Sequence, residues 1–503
     1  MTMPGMFSAP LNRFVLAACA LGLGLAGCGG GGGGGAPVTV NLNTASVVQV
    51  LEGGTGTTAE LSFPVVLSGP APSVVTINYS TADVDAIGKA SCADAGADYV
   101  SATGSITIPS GQSSGVIKVV VCGDAGFDPN EKLTVTLTAT SSGGVLGTQT
   151  SMQGTIVNDD AGGLNDTGAT ACGNGGGTLA ACPQASHPNQ DGDYGRDANS
   201  LTNADADGHK GFSFSKLDSA GNVLASGAAS WTCIRDNVTG KLWEAKTAGN
   251  QATTYTWANA QAYAAGIGTL CGVAGWRLPT PQELAGLVNN SVAWSVTSTA
   301  TIDQTFFPEQ QKTNYWSATA TAAAVSATGV WVVDFQYGLL AYVDNSTSLP
   351  VRLVNGAVSA PNYQAPVSST VRDAATGLQW QQCADGLSGA GCATGSAQAY
   401  TWQAALNRVA AVNQTGFAGF TDWRLPNRNE LASIVNDANS NPALDATLFV
   451  GFPQVGGVTP NFWTSTPYAG DATKAWSVGF KDGEVAFSDV ANSRYILLVR
   501  GGQ

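Results

Sequence analysis

The residues best suited to chemistry in this 503-residue chain are carboxylates. Glu52, Asp83, Asp98, Asp124, Glu131, Asp159 and Asp160 recur at turns between apolar runs, and residues 37–160 hold 11 acidic side chains against three lysines and no arginine. That segment alone carries −8 of the formal net charge of −14. Carboxylate oxygens gathered in number suit a hard divalent cation, which takes six to eight oxygens. Left apart, the same side chains are only a solvated acidic face. A second acidic stretch, Asn203-x-Asp205-x-Asp207-Gly208, matches the opening of a twelve-residue EF-hand loop, but Phe214 stands where the last position needs a bidentate Glu. A solvated acidic turn is the better reading there.

Histidine chemistry is scarce. His187 and His209 are the only two, and both precede the repeated part of the chain described below, so a triad, zinc site or proton shuttle built from histidine inside that part is not expected. No phosphate-loop or Cys-x-x-Cys metal pattern occurs. These absences argue against an enzyme, and a pI near 4.4 argues against nucleic acid as a partner. Beyond Cys19 and Cys28, the eight cysteines fall into close pairs by sequence: Cys92 with Cys122, Cys172 with Cys182, Cys233 with Cys271, and Cys383 with Cys392. An even count in local pairs fits disulfides of an oxidising compartment, although sequence alone leaves the connectivity open.

The elements that position these residues divide the chain into several domains, as its length requires. Residues 1–27 carry Arg13, an apolar run from Phe14 to Ala26, and the sequence Leu25-Ala26-Gly27-Cys28. The run is too short to span a membrane and reads as an export signal. Seven glycines, Gly29 to Gly35, follow as a flexible tether within 28–36. Residues 37–160 alternate apolar and polar side chains in short runs such as Val74-Val75-Thr76-Ile77-Asn78-Tyr79, separated by Gly, Pro and Asp turns, and predict an all-β sandwich. Residues 161–230 are loop-rich. All twelve tryptophans lie from Trp231 onward.

That tryptophan-rich part is one domain written twice, at 231–357 and 371–503, with a linker at 358–370. Trp276-Arg277-Leu278-Pro279-Thr280-Pro281-Gln282-Glu283-Leu284 returns as Trp423-Arg424-Leu425-Pro426-Asn427-Arg428-Asn429-Glu430-Leu431. Trp243, Trp257, Trp316, Trp331, Phe335 and Gly338 return as Trp380, Trp402, Trp463, Trp476, Phe480 and Gly483. Thr280 or Asn427 with Glu283 or Glu430 three residues on predicts a capping box, with Pro281 placed where its missing N–H costs nothing. Each copy therefore reads as α+β, with two helices among aromatic strands.

Leu25-Ala26-Gly27-Cys28 resembles a bacterial lipobox, which implies that Cys28 is lipidated. Gly29 stands where inner-membrane retention usually shows Asp, so the resemblance points to the outer membrane, with the protein periplasmic or at the cell surface. The first domain, with Glu52-Gly53, Thr81-Ala82-Asp83, Ala97-Asp98-Tyr99, Gly123-Asp124, Glu131 and Asn158-Asp159-Asp160, resembles a Calx-β domain. That resemblance implies a seven-stranded immunoglobulin-like sandwich whose carboxylates gather at one end, where some of these acids bind calcium, with Asn158 a departure from three Asp. The Thr-Gly-x-x-Trp, Trp-Arg-Leu-Pro-x-x-x-Glu-Leu and Trp-Ser/Thr elements resemble the Lcl C-terminal domain family, named for collagen-like bacterial adhesins. The helix entry is also similar to the C-type-lectin-like and formylglycine-generating-enzyme fold, but the enzyme's redox cysteines have no free counterpart here.

The expectation is a lipoprotein that binds an extracellular ligand, a glycan first, through tandem lectin-like domains on a calcium-binding stalk. A structural or protein-docking lipoprotein is the alternative. Sugar rings stack on aromatic faces, which makes Trp316, Trp331, Trp463 and Trp476 the candidate ligand-binding residues. Copy two balances eight Lys and Arg against ten Asp and Glu, so a neutral glycan suits it better than a sulfated one. Arg352 of copy one and Leu497 of copy two, like Asn355 and Arg500, read as surface positions at which the copies diverged.

Overall fold

The structure, a computed structural model, describes residues 36–292 and 299–502. The export segment, Cys28 and the glycine run lie outside the described residues, among which no helix is long and apolar enough to cross a membrane.

The N-terminal domain packs a six-stranded sheet on a five-stranded sheet. Period-two patterning produces this directly: along Thr58–Leu67 the side chains of Leu61, Phe63, Val65 and Leu67 turn inward, and along Glu131–Thr140 those of Leu133, Val135 and Leu137 do so. They meet Val40, Ile77, Ile117, Val119 and Ile156 in one apolar core. The loops that leave the strands at one end carry the acidic residues.

Each later copy builds a small sheet, two helices and three aromatic strands. In copy one the small sheet runs Phe214–Leu217, Cys233–Asp236, Leu242–Glu244, Val354–Asn355, so part of the loop-rich segment before residue 231 supplies its edge strand. In copy two it runs Thr370–Arg372, Leu378–Gln381, Val499–Gly501. The predicted helix entries form at Pro281–Ala285 and Arg428–Ser433. The Glu283 amide donates to Thr280 Oγ1 at 3.1 Å and the Thr280 amide to Glu283 Oε2 at 2.9 Å; the Asn427–Glu430 pair repeats this at 2.8 and 2.8 Å. The arginine of the motif completes the device, since Arg277 clamps Glu283 with two bonds of 2.7 Å and Arg424 clamps Glu430 with two of 2.6 Å.

The two copies are not beads on a string. Strands Asn314–Ala320, Gly329–Asp334 and Leu339–Asp344 join Val485–Asp489, Lys474–Gly479 and Asn461–Pro467 in one six-stranded sheet, sealed where Leu340 pairs antiparallel with Val485. A single core cluster runs through both. The contact is reciprocal. Gly338 of copy one lies against the Trp476 ring, and Gly483 of copy two lies against Trp331, each glycine at positive φ (+81° and +101°).

Arg352 and Leu497 are both fully buried, which corrects their reading as surface positions. Arg352 donates to the Glu244 carbonyl at 2.5 Å and twice to Gln310 Oε1, at 3.1 and 2.7 Å, so where copy two buries a leucine copy one buries a guanidinium that hydrogen-bonds within its own copy. Asn355 and Arg500 do differ at the periphery: Asn355 donates to the Ala274 carbonyl, while Arg500 pairs with Asp422 at 2.7 Å.

Candidate functional site

The turns at the acidic end of the sandwich bring Glu52, Asp124 and Asp160 together, with a carboxylate oxygen from each within 4.8 Å of the others. The close approach depends on Gly123, where a Cβ would stand 2.2 Å from the Gly53 carbonyl oxygen. Glu52 is buried and its carboxyl is pushed up to about 8, by burial first and then by Asp124, Asp128, Asp160 and Asp159. Burial and the charges of Asp159, Asp124 and Asp128 also raise Asp160, whose Oδ2 is buried without a hydrogen-bond partner. Asp159 sits beside them and accepts the Gly53 amide at 2.9 Å.

Glu131 belongs to an adjoining group. Burial, then the hydrogen bond and charge of Asp98, then Asp128 and Asp85, push it up to about 10. Asp128 acts on both groups and is itself raised by burial, by Asp124 and by Asp98, with Arg372 opposing. A set of crowded carboxylates held partly protonated, one with an orphaned oxygen, fits a hard divalent cation.

Asp83 is not brought to this set. Its Oδ1 accepts the Tyr99 hydroxyl at 2.6 Å and the Gly88 amide at 2.9 Å, so its role is to hold a turn. Asn158 is likewise a brace, accepting the Asp128 amide and donating to the Asp160 carbonyl at 3.0 Å. Sequence reasoning passed over Asp85 and Asp128, although Asp85 follows Asp83 by two residues and Asp128 lies between Asp124 and Glu131. The acidic end also faces copy two, where Arg500 Nη2 stands 3.8 Å from Asp85.

The tryptophans chosen as sugar platforms are core. Trp316, Trp331, Trp463 and Trp476 are 0–1 % exposed, which removes them as ligand-binding residues. Trp316 and Trp463 donate their indole N–H groups to the Tyr255 and Tyr400 carbonyls, at 2.7 and 2.9 Å, one and the same bond in the two copies. A different feature offers room: a cleft of about 660 Å³ between the copies, bordered by the start of the linker. Its walls include Trp243, Gln282, Tyr363, Asn429, Asp437 and Asp445. Asp437 of copy two accepts from Gln282 of copy one at 3.1 Å, while its Oδ1 and the Trp243 indole N–H are buried without partners. Burial pushes the Asp437 carboxyl up to about 6. Only tertiary pairing of the copies creates this cleft, so no local signal announced it.

His209 reaches copy one from outside it in sequence, its Nε2 lying 3.0 Å from Ser291 Oγ. This qualifies the exclusion of histidine from the repeats, but no activated serine results, because Ser291 Oγ donates to Asn289 Oδ1 at 2.6 Å and Asp205 stands 3.9 Å from His209 Nδ1. In the EF-hand-like stretch Asp205 and Asp207 serve their own turn, accepting from the Lys210 amide and the Ser213 hydroxyl. The cysteines are joined as Cys92–Cys122, Cys172–Cys182, Cys233–Cys271 and Cys383–Cys392.

A sandwich with clustered carboxylates at one end, followed by two fused aromatic-rich copies, is the architecture of a multidomain binding protein. The Lcl C-terminal domain matches residues 232–355 and 369–500, half of the chain, and the chain belongs to that family. The Calx-beta domain matches residues 38–161. Neither is an enzymatic family, and together they suggest an extracellular adhesion or binding protein. Solved structures similar to the chain include the crystal structure of CBD12 from CALX1.2, at 21% identity over 27% of this chain and 48% of that one, with a TM-score of 0.21. The apo-form Calx CBD1 domain is 23% identical over 24% of this chain and 98% of that one, with a TM-score of 0.20. The chain thus spans about half the length of the first of these. No curated protein matches.

Proposed function

We propose that this chain is a lipid-anchored outer-membrane protein that binds an extracellular glycan in the cleft between its two C-type-lectin-like copies, carried on a calcium-loaded Calx-β stalk. The cleft carries this reading: at about 660 Å³ it falls in the ~300–1,000 Å³ range of small-ligand sites, and the half-buried Tyr363 sets a ring at its wall together with Asp437 and Asp445. Glu52, Asp124 and Asp160, with Asp159, Asp128 and Glu131 beside them, would hold calcium, which supplies the positive charge those carboxylates lack. Calcium there would also set how the acidic end meets Arg372 and Arg500 of copy two.

Two outcomes test the reading. Intact-mass analysis is expected to find Cys28 as an acylated N-terminus, and an unmodified residue 28 or cleavage elsewhere would remove the anchor. On a glycan array the full chain is expected to bind a neutral glycan weakly and almost independently of salt, because few ion pairs are available to be screened. Tyr363→Ala, at the cleft wall, should weaken that binding about tenfold, the scale of one lost ring-stacking contact of ~1.4 kcal/mol. Heparin retention that collapses with salt would contradict a neutral ligand, and silence across the array would favour the docking alternative.

A further inference from the structure

The segment between the sandwich and copy one holds a second group of acids, apart from the Calx-β end. Asp166, Asp191 and Asp197 are 5 %, 3 % and 2 % exposed, and one oxygen of each lies within 4.8 Å of the others. Backbone approach makes the group possible, since a Cβ on Gly195 would stand 2.3 Å from Asp166 Oδ2.

Hydrogen bonds account for two of the three. Asp166 accepts the amides of Thr167 at 2.8 Å and Asp197 at 3.0 Å, and the Asn427 side chain at 3.2 Å. Asp191 Oδ2 accepts the hydroxyls of Thr167 and Thr466, both at 2.6 Å. Asp197 is different: both of its oxygens are buried with no hydrogen-bond partner. The amides of Ala169 and Ala198 lie near enough to favour its charge without bonding to it. Arg424 and Arg196 act on Asp166 by charge, but neither hydrogen-bonds to Asp197: Arg424 clamps Glu430 and Arg196 Nε donates to the Gly211 carbonyl.

A buried carboxylate left unpaired is costly, so it is neutralised by a proton or bridged by a cation. One proton would occupy one oxygen of Asp197; a cation spans all three side chains. The donors are all hard oxygens with no nitrogen or sulfur, which favours calcium or magnesium over zinc. Three oxygens within 4.8 Å of one another place a central ion at most about 2.8 Å from each, which admits calcium at ~2.3–2.6 Å, and a buried set of protein oxygens suits calcium better than magnesium, which usually keeps several waters.

We propose that Asp166, Asp191 and Asp197 form a second, buried calcium site that fastens residues 166–197 to copy two. Thr466 and Asn427, which bond to Asp191 and Asp166, are the copy-two groups held by it. Burial raises all three carboxyls, Asp191 to about 8, as expected of a site completed by positive charge.

The test is equilibrium dialysis of the full chain against radioactive calcium. Glu52→Gln, Asp124→Asn, Asp128→Asn, Glu131→Gln and Asp160→Asn are introduced together to silence the Calx-β end. That chain is expected to retain one calcium, and adding Asp197→Asn should weaken its binding at least tenfold while near-ultraviolet circular dichroism stays that of a folded protein. Should Asp197→Asn not fold, the silenced chain decides alone. No calcium on the silenced chain, or binding that Asp197→Asn leaves unchanged, would overturn the site and leave a proton-sharing cluster.

Discussion

Replacing Trp476 with alanine is expected to cost about 3–5 kcal/mol and to weaken both copies at once. Trp476 is 1 % exposed on strand Lys474–Gly479, with Tyr468 and Phe487 edge-on to its ring at 5.8 and 5.6 Å between centroids. Its far edge meets Gly338 of the other copy, and the Arg428 guanidinium lies 4.8 Å above it. The cavity left by alanine would therefore open on the seam and not inside one copy. Because the core and the six-stranded sheet run through both copies, tryptophan fluorescence in denaturant should show one transition, moved to lower midpoint with little change in slope. The sandwich contributes no signal, having no tryptophan. Trp476→Phe should cost less than alanine, since the indole N–H it removes has no partner. Two transitions, of which only one moves, would show that the copies fold separately.

That seam separates what the residues announced from what they did not. The helix entries were legible because capping is local: Thr280 with Glu283, and Asn427 with Glu430, satisfy amides within one turn. Alternation along Thr58–Leu67 announced the sandwich for the same reason. The sheet that the copies share is closed at one ladder pair, Leu340 with Val485, 145 positions apart, and nothing local marks either residue. Burial of whole tryptophans was equally hidden, because the same ring suits a core or a sugar face until its neighbours are known. Among the seven acids of the sandwich, the structure brings Glu52, Asp124 and Asp160 within 4.8 Å of one another, Asp83 is not separable from them by sequence, and Asp166, Asp191 and Asp197 are invisible there because burial, not spacing, distinguishes them.

Without calcium, the sandwich is expected to lose stability as pH rises, the opposite of the usual behaviour of paired carboxylates. Glu52 has an unfolded value near 4.5 and a folded value of about 8. Below 4.5 both states hold the proton and no penalty arises. Between 4.5 and 8 the unfolded chain gives its proton up while the folded one keeps it, so the folded state binds more protons and stability falls with pH. Above 8 both are ionised and the full cost has been incurred. Glu131 extends the decline to about 10 by the same argument. Calcium reverses the balance because it binds the ionised set: a concentration a hundredfold above its dissociation constant adds ~2.7 kcal/mol, and affinity grows as protons leave. Hydrogen exchange or calorimetry of residues 38–161 within the full chain should therefore show a melting temperature that falls from pH 5 to pH 8 in chelator and flattens or rises in millimolar calcium. Glu52→Gln, which can neither ionise nor supply a carboxylate, should lose most of the calcium response and soften the decline. Melting that ignores pH in chelator and is the same with and without calcium would mean that these carboxylates hold no ion.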